Sequence, residues 1–195
     1  MDPRNGADIF LPMTIKISVY VGTSLDGFIA RSNDELDWLP ATGEEAGGED
    51  YGYGEFIATV DTIVIGRRTY DKVLTFGRWP YEGKPVVVLT SRPLERTGAV
   101  PDSVRSMSGS PEEVAARLES GGARHIYLDG GKTIQQFLDA GLVQRLIVTR
   151  IPVLIGSGIP LFGPLHADVH LRHVASRSFP PGLVRDEYEV VPRSA

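Results

Sequence analysis

Four apolar segments of this 195-residue chain end in glycine, basic or hydroxyl residues, which are well suited to binding phosphate. The four sets are Gly22-Thr23, Gly66-Arg67-Arg68-Thr69, Thr90-Ser91-Arg92 and Asp129-Gly130-Gly131-Lys132-Thr133. Glycine lets the backbone approach a ligand closely, and a helix N-terminus offers free N–H groups to an anion. Arginine and lysine add charge-assisted hydrogen bonds. The recurrence of this pattern predicts a ligand with several phosphates, such as a dinucleotide.

Two common phosphate-binding motifs are incomplete in this chain. Gly131-Lys132-Thr133 matches the end of a P-loop, but that motif needs a glycine five residues before Gly131, and this position is Ile126. A P-loop triphosphatase is therefore excluded. The Gly-x-Gly-x-x-Gly fingerprint of Rossmann domains is also absent. A dinucleotide would have to be held by a different fold.

Other catalytic chemistries receive little support. The chain has no cysteine, which excludes thiolate catalysis, disulfides and Cys-ligated zinc. His166, His170 and His173 have metal-like spacing, but on a strand His173 points away from the other two, and we predict no metal site. No Gly-x-Ser-x-Gly elbow supports serine hydrolysis.

Bulk composition narrows the class of protein. The hydrophobic fraction of 42% and the charged fraction of 23% are ordinary for a globular domain. A net charge of −5 gives no electrostatic case for nucleic acid or an anionic membrane, and no apolar run is long enough to span a bilayer. We expect a cytoplasmic protein with an N-terminal extension at residues 1–12 and one domain at 13–195, since Met13 directly precedes the first strong strand.

Alternating strand and helix patterns indicate how the phosphate-binding sets are positioned. Strands are predicted at 14–22, 61–66, 84–91, 125–131 and 144–156, helices at 51–60, 67–77, from the Ser110 capping box to Gly121, and at 132–140, and a hairpin at 169–179 and 183–191. This order predicts an α/β three-layer sandwich with a mostly parallel central sheet and antiparallel C-terminal strands. The strand ends then meet at one edge of the sheet, where ligands bind. Within the long polar segment 23–50, residues 34–40 are either a solvated loop anchored by Trp38 or a lid over a planar substrate.

Four stretches of the chain resemble a known family. They are ISVYVGTSLDGFIA (17–30), DTIVIGRRTYDKV (61–73), GKPVVVLTS (83–91) and IYLDGGKTIQQFLDAGLVQRLIVTRIPVLIGSGIPLF (126–162). Together they resemble the dihydrofolate reductase superfamily, most closely the branch with the reductase domain of riboflavin biosynthesis, over about residues 14 to 191. The resemblance implies a dihydrofolate-reductase-like fold, NADPH as cofactor, a small pterin-like or pyrimidine-like substrate, and a homodimer.

The resemblance also implies roles for particular residues. Gly22 and Thr23 would meet the nicotinamide carboxamide, with Ile29 near its ribose. The pyrophosphate and adenosine phosphates would contact three further sets, which are Gly66, Arg67, Arg68 and Thr69; Thr90, Ser91 and Arg92; and Asp129, Gly130, Gly131, Lys132 and Thr133. Ser91 and Arg92 would approach the adenosine 2′-phosphate, which favours NADP over NAD.

On the substrate side the resemblance implies an acidic residue near the start of the helix before strand 61–66. Asp50 lies at about that distance, and Asp37 is a second candidate for the catalytic acid. Leu36 and Trp38 would belong to a mobile loop beside the nicotinamide, and Gly156, Ser157 and Gly158 would cap the substrate pocket. Two alternatives stay open at this point: a nucleotide-binding or regulatory module without catalysis, and a flavin-using reductase whose basic strand ends hold one phosphate.

Overall fold

The structure is a computed structural model that describes residues 14–40, 49–81, 83–96, 98, 100–180 and 182–193. The predicted extension at 1–12 lies outside these residues. The strands are β1 (Lys16–Ser24), β2 (Phe28–Ala30), β3 (Thr62–Gly66), β4 (Val86–Leu89), β5 (Val104–Met107), β6 (His125–Asp129), β7 (Arg145–Ile151), β8 (Ile159–Pro160), β9 (Leu171–Phe179) and β10 (Leu183–Val190). The helices are α1 (Tyr53–Ala58), α2 (Arg67–Leu74), α3 (Pro111–Ser120) and α4 (Gly131–Asp139).

Eight of these strands form one sheet in the order β5-β4-β3-β6-β1-β7-β10-β9. The first six are mutually parallel, whereas β10 is antiparallel to both β7 and β9. The central strands are continuous apolar runs because helices cover both of their faces. The predicted α/β sandwich with antiparallel C-terminal strands is therefore confirmed.

The two faces of the sheet pack against different helices. On one face, α3 and α4 bury Leu118, Ile134 and Phe137 in a cluster with the inward residues of the sheet. On the other face, α1 and α2 contribute Phe56 and Tyr70 to a second, more aromatic cluster. Successive strand residues alternate between the two clusters, as the pleat of a strand requires.

The side chains of β6 point alternately to the two faces of the sheet. Ile126 and Leu128 point into the α3–α4 cluster, whereas Tyr127 points into the α1–α2 cluster. Because side chains two residues apart share a face, Asp129 follows Tyr127 towards the α1–α2 side. Lys132 belongs to α4, whose apolar residues lie on the opposite face.

Three strands were absent from the predicted order. The edge strand β5 was missed because Arg105 and Ser106 are exposed and interrupt any apolar pattern. Strands β2 and β8 form a separate two-stranded sheet, in which Ala30 pairs with Ile159. Gly158 permits this pairing, because a Cβ there would lie 2.3 Å from the carbonyl oxygen of Ala30.

The seventh strand is shorter than the predicted segment 144–156. It ends at Ile151, directly before Pro152, which has no N–H to continue the ladder. The antiparallel hairpin β9–β10 is close to its predicted limits. Within the described residues, no helix is long and apolar enough to cross a membrane.

Candidate functional site

A cleft of about 860 Å³ lies at the carboxyl ends of β1, β3 and β6. Its volume is within the usual range for ligand pockets. The predicted site residues that line it are Gly22, Ile29, Leu36, Gly66, Arg67, Arg68, Thr69, Arg92, Asp129, Gly130, Gly131, Lys132 and Thr133. The structure thus brings together residues from all four of the strand-end sets found in the sequence.

Two helices begin at this cleft without a side-chain cap. Gly66 precedes α2 and Gly130 precedes α4, and neither helix start has a side-chain capping hydrogen bond. By contrast α3, which starts away from the cleft, has a complete capping box between Ser110 and Glu113. The first N–H groups of α2 and α4 are therefore available to an anion, which is the usual basis of phosphate binding at a helix start.

Glycine lets these two helix starts lie against each other. A Cβ on Gly130 would approach the Thr69 hydroxyl to 2.4 Å, and Gly130 has a φ of 96°. A Cβ on Gly66 would approach the Thr133 hydroxyl to 2.7 Å. Any larger residue at either position would push the two turns apart. The starts of α2 and α4, with the cations of those helices and Arg92, are called the phosphate end of the cleft below.

Two arginines at the phosphate end are already paired. The Arg67 Nε donates to Asp71 at 2.7 Å and its Nη1 donates to the carbonyl oxygen of Pro93 at 2.8 Å. The Arg68 Nε donates to Asp34 at 2.6 Å, which connects α2 to the segment after β2. The hydrogen bond to Asp34 raises the pKa of the Arg68 guanidinium above its ordinary value.

Three other cations of the cleft have no carboxylate partner. Lys72 belongs to α2, Arg92 follows β4 and Lys132 lies in the first turn of α4, and none of these side chains has an ion pair or hydrogen bond among the residues that the structure describes. Free cations beside uncapped helix starts fit a ligand that carries phosphate groups. The residues of the phosphate end are therefore compatible with a dinucleotide.

The other end of the cleft is aromatic, and we call it the tyrosine pocket. Tyr20, Tyr81, Tyr127 and Asp129 line it, and Tyr53 packs against the rings of Tyr20 and Tyr127. The rings of Tyr20 and Tyr53 pack edge to face with centroids 5.5 Å apart, and Tyr53 packs similarly on Tyr127 at 6.3 Å. The Tyr127 hydroxyl donates to the carbonyl oxygen of Tyr20 at 3.0 Å. These contacts create a compact wall of rings.

Asp129 is the carboxyl group of this pocket. Its Oδ2 accepts a hydrogen bond from the Tyr81 hydroxyl at 3.0 Å, and its Oδ1 accepts one from the Gly130 N–H at 2.7 Å. Burial raises the pKa of Asp129 above its usual value of 3.8, and these two hydrogen bonds only partly oppose that effect. The carboxyl therefore holds its proton to a higher pH than an ordinary aspartate.

The same buried environment raises the pKa values of the tyrosine hydroxyls. Burial, followed by the charge of Asp129, raises the pKa of Tyr53 to about 12. The same two causes raise the pKa of Tyr81 and Tyr127 well above 10. All of these hydroxyls are therefore neutral at physiological pH, and Asp129 is the group in the pocket that can exchange a proton.

The two predicted catalytic acids lie elsewhere. The carboxylate of Asp50 accepts hydrogen bonds from the N–H groups of Gly52 at 2.7 Å and Gly54 at 2.8 Å, so it stabilises the start of α1. Asp37 forms a two-point ion pair with Arg31 at 2.6 and 2.8 Å. Hydrogen bonds lower the pKa of both aspartates, and both are exposed and do not line the cleft.

Several other predicted residues also lie outside the cleft. Trp38 packs on the small cluster that contains Tyr51 and Phe179 rather than over the ligand site. The segment Gly156-Ser157-Gly158 follows β7, where the N–H of Gly156 donates to Asp26 at 2.8 Å. Neither Trp38 nor this segment lines the cleft.

The remaining predicted cofactor residues are near neighbours of the cleft. Thr23 is buried at the end of β1. The Thr90 hydroxyl accepts a hydrogen bond from the N–H of Arg92 at 3.0 Å, which shapes the turn that presents Arg92. Ser91 is exposed beside it.

Sequence reasoning missed most of the tyrosine pocket. Tyr127 could have been found, because it lies two residues before Asp129 on the same strand face. Tyr81 belongs to an irregular segment with no periodic pattern, and Tyr53 and Tyr20 come from distant elements. In the described part of the chain, no group of three or more His, Asp or Glu side chains could hold a metal ion.

Two proteins resemble this chain at 35% identity. The uncharacterised protein YwjB of Bacillus subtilis matches over 170 residues, which is 86% of this chain and 94% of YwjB. A solved structure from Shewanella sp. PV-4, whose assignment to riboflavin biosynthesis is provisional, has a TM-score of 0.82 and covers 91% of this chain and 99% of its own.

More distant structures share the fold. The deaminase and 5-amino-6-(5-phosphoribosylamino)uracil reductase of Thermotoga maritima is 17% identical, has a TM-score of 0.67 and is matched over 91% of this chain and 57% of its own. The dihydrofolate reductase of Enterococcus faecalis, complexed with NADP(H), is 16% identical, with a TM-score of 0.62 and coverage of 91% and 97%. At these identities the likeness concerns the fold alone.

The profile of the RibD C-terminal domain family matches residues 15–185, which includes every strand and helix that lines the cleft. Together with the relatives above, this match confirms the resemblance seen in the sequence. The chain belongs to the RibD C-terminal domain family.

Proposed function

We propose that the chain is an NADPH-dependent reductase that adds hydride to a C=N or C=O bond of a small heterocyclic substrate. The observation that carries the proposal is the composition of the cleft, which joins a phosphate end to a pocket with one proton-holding carboxyl. Reductases of the same fold, from Thermotoga maritima and Enterococcus faecalis, support an oxidoreductase.

The groups of the phosphate end have separate proposed roles in binding NADPH. The N–H groups at the starts of α2 and α4 are proposed to bind the pyrophosphate, because both helices begin at glycine without a side-chain cap. Arg92 is proposed to bind the adenosine 2′-phosphate, since its guanidinium has no other partner among the described residues. This contact would distinguish NADPH from NADH.

The tyrosine pocket supplies the proton. NADPH, when bound, provides a hydride, the unsaturated carbon of the substrate accepts it, and the adjacent nitrogen or oxygen accepts a proton. Asp129 is proposed to donate that proton, because burial raises the pKa of its carboxyl above the ordinary value. The carboxylate that remains is stabilised by the Tyr81 hydroxyl and the Gly130 N–H until it takes a proton from solvent.

An NADPH titration tests the proposal. At a concentration 100 times its dissociation constant, a ligand stabilises a protein by about 2.7 kcal/mol, which raises Tm by several degrees for a chain of this size. We expect this increase, together with a change in nicotinamide fluorescence. An unchanged Tm and fluorescence at saturating NADPH would reject the proposed function.

The same measurements separate the two alternatives. NADPH binding without oxidation by any pterin, pyrimidine or quinone would favour a regulatory module without catalysis. A yellow protein that retains flavin through purification would favour a flavin-using reductase, in which the phosphate end holds a single phosphate.

A homodimer is proposed as the assembly. The outer strand β9 is exposed along all of its residues except Phe179, and it includes the apolar residues Leu171 and Val174. An exposed edge strand is a surface on which a second copy can pair. Light scattering of the purified protein measures the mass in solution, and a monomeric mass would contradict this proposal.

A further inference from the structure

Arg185 of β10 does not line the cleft, but its guanidinium holds a residue that does. The Arg185 Nη1 donates to the carbonyl oxygen of Tyr51 at 2.7 Å, and the Tyr20 hydroxyl donates to the same oxygen at 2.8 Å. Burial raises the pKa of Tyr20, whereas a hydrogen bond from Arg185 and its positive charge oppose that rise. The Tyr20 hydroxyl, at the edge of the tyrosine pocket, is therefore fixed by both a carbonyl group and a cation.

The Tyr51 carbonyl belongs to a turn with an uncommon backbone conformation. Tyr51 has a φ of 55° and Gly52 a φ of 87°, so two consecutive residues lie in the left-handed region. A residue other than glycine is strained there and keeps this conformation only where its surroundings fix it. A Cβ on Gly52 would lie 1.8 Å from the Arg185 Nη1, so glycine lets the guanidinium reach the carbonyl. The turn and Arg185 therefore depend on each other.

This turn leads directly into α1, whose aromatic residues support the lining of the pocket. Phe56 stacks on Tyr20 with ring centroids 4.9 Å apart, and it packs edge to face on Tyr127 at 5.3 Å. Tyr53 packs edge to face on the same two rings. Because α1 has only six residues, it is not stable by itself, and its position depends on contacts such as those at its start.

The other contacts of Arg185 do not commit it to a carboxylate. Its guanidinium lies 5.5 Å from the centroid of the Phe179 ring, and it forms no ion pair within the part of the chain that the structure describes. Arg177, directly opposite on β9, lies 4.5 Å from the same centroid. Both arginines thus gain a cation–π contact. Arg185 in addition uses its charge to hold two neutral groups, a carbonyl and a hydroxyl.

We propose that Arg185 is a positioning residue for the substrate, which fixes Tyr20 and the start of α1 and thereby sets the shape of the tyrosine pocket. This inference rests on the proposed reductase function. Arg185 acts through Tyr20 and the Tyr51 carbonyl, without contact with the substrate. Because the rate of a bound reaction depends steeply on the orientation of its reactants, a displaced Tyr20 should slow hydride transfer and leave NADPH binding unchanged.

Arg185→Met tests the inference, because it removes the donor and the charge but keeps a long unbranched side chain. NADPH oxidation is measured with dihydrofolate, menadione and 5-amino-6-(ribosylamino)uracil 5′-phosphate as probes. We expect kcat/KM for the best probe to fall by about 10-fold or more, as for the loss of a hydrogen bond from a charged donor. The Kd for NADPH should stay within about twofold. Arg177→Met is the matched control, since it removes the other cation from the Phe179 ring, and its kcat/KM should equal that of the parent.

Nuclear magnetic resonance of protein labelled with ¹³C at the tyrosine Cζ gives a second readout that needs no substrate. The Tyr20 signal is identified by its absence in Tyr20→Phe. It should shift in R185M, because the hydroxyl loses a hydrogen-bond donor, and keep its position in R177M. A general loss of stability would not move this one signal selectively.

An unchanged kcat/KM in R185M, an equal loss in R177M or an unchanged Tyr20 signal in R185M would each overturn the inference. If R185M does not fold, Y20F decides, because it removes the hydroxyl through which Arg185 acts. Its kcat/KM should fall by about 2- to 12-fold, and an unchanged value would overturn the inference. Absence of NADPH binding in the parent, measured first, would instead reject the proposed reductase function, and the Tyr20 signal would still show whether Arg185 holds this hydroxyl.

Discussion

The two ends of the cleft differ in the chemical groups that line them. The phosphate end consists of backbone N–H groups and long cationic side chains, and in its ion pair between Arg68 and Asp34 the Arg68 side chain is 63% accessible to solvent. The tyrosine pocket consists of rings that pack on one another, and its one carboxyl is held by a hydroxyl and a backbone N–H. One end is open and rich in cations, whereas the other is enclosed and mainly aromatic.

This difference indicates how the two ends should respond to mutation. Charges at an exposed site are screened by salt and by water, so removing one changes affinity moderately. A proton-holding group in an enclosed pocket has no substitute, so its loss should change the rate of the chemical step. Substitutions at the two ends should therefore separate binding from catalysis.

Asp129→Asn is expected to have the largest effect. The amide resembles the protonated carboxyl in shape but cannot release a proton, so kcat should fall by about 10²- to 10⁴-fold. NADPH affinity should remain within about twofold, because Asp129 lies outside the phosphate end. Steady-state kinetics and a separate NADPH titration measure the two quantities. A large loss of NADPH affinity with unchanged kcat would show that Asp129 belongs to the cofactor site.

The same variant should change the pH dependence of stability. The folded pKa of Asp129 is raised above 3.8, so between the two pKa values the folded protein binds more protons than the unfolded chain. Stability is therefore lost as pH rises through the folded pKa. Asn does not titrate, and D129N should have a higher Tm than the parent above that range and a similar Tm at acidic pH. Thermal unfolding at a series of pH values measures the difference.

These two ends also differ in how far the sequence predicts them. The phosphate end could be read from the sequence because each set is contiguous, as in Gly66-Arg67-Arg68-Thr69. The sheet topology alone then brings the sets to one edge. The tyrosine pocket combines Tyr20, Tyr53, Tyr81 and Tyr127, which are far apart in the chain and have no shared spacing.

The sequence predicts Asp50 as the catalytic acid only from its position along the chain relative to α1. Asp50 has a suitable distance from the strand that follows, but distance along the chain does not show which groups a carboxylate contacts. Its two oxygens accept hydrogen bonds from Gly52 and Gly54, which is a common use of aspartate at a helix start. Asp129 was predicted as a cofactor residue because it is adjacent to Gly130, whereas the pleat of β6 turns its side chain to the other end.

Arg92→Gln should have the second largest effect. Loss of one charge-assisted hydrogen bond costs about 1.5–3 kcal/mol, so the Kd for NADPH should rise by about 10- to 150-fold. The Kd for NADH should change little, because NADH has no 2′-phosphate. Isothermal titration with both cofactors measures this selectivity. Equal weakening for NADPH and NADH would assign Arg92 to the pyrophosphate instead.

Tyr81→Phe should have a smaller effect on the other end. The variant removes the hydroxyl that donates to Asp129 but keeps the ring, so the ionised carboxylate loses stabilisation and the pKa of Asp129 should rise further. The acid-side plateau of the pH–rate profile should extend to higher pH, and kcat should fall by roughly 2- to 12-fold for one hydrogen bond. A reduced kcat with an unchanged pH profile would indicate a purely structural role for Tyr81.

Asp34→Asn is expected to have the smallest effect. It tests whether the ion pair with Asp34 keeps Arg68 from binding the ligand. Asp34 has a φ of 66°, which asparagine also tolerates, so the backbone should keep its conformation. The exposed ion pair with Arg68 contributes only about 0.2–1 kcal/mol. Releasing Arg68 should therefore tighten NADPH binding by about 1.4- to 5-fold with little change in Tm.

Asp37→Asn is the matched control for this last variant, because Asp37 pairs with Arg31, which does not line the cleft. NADPH affinity should be the same in D37N and in the parent. Weaker NADPH binding in D34N alone would mean that Asp34 orients Arg68 towards the ligand instead of competing for it. In that case the ion pair between α2 and the segment after β2 would be part of the phosphate end itself, and the contrast with the aromatic tyrosine pocket would extend to the residues that position each end.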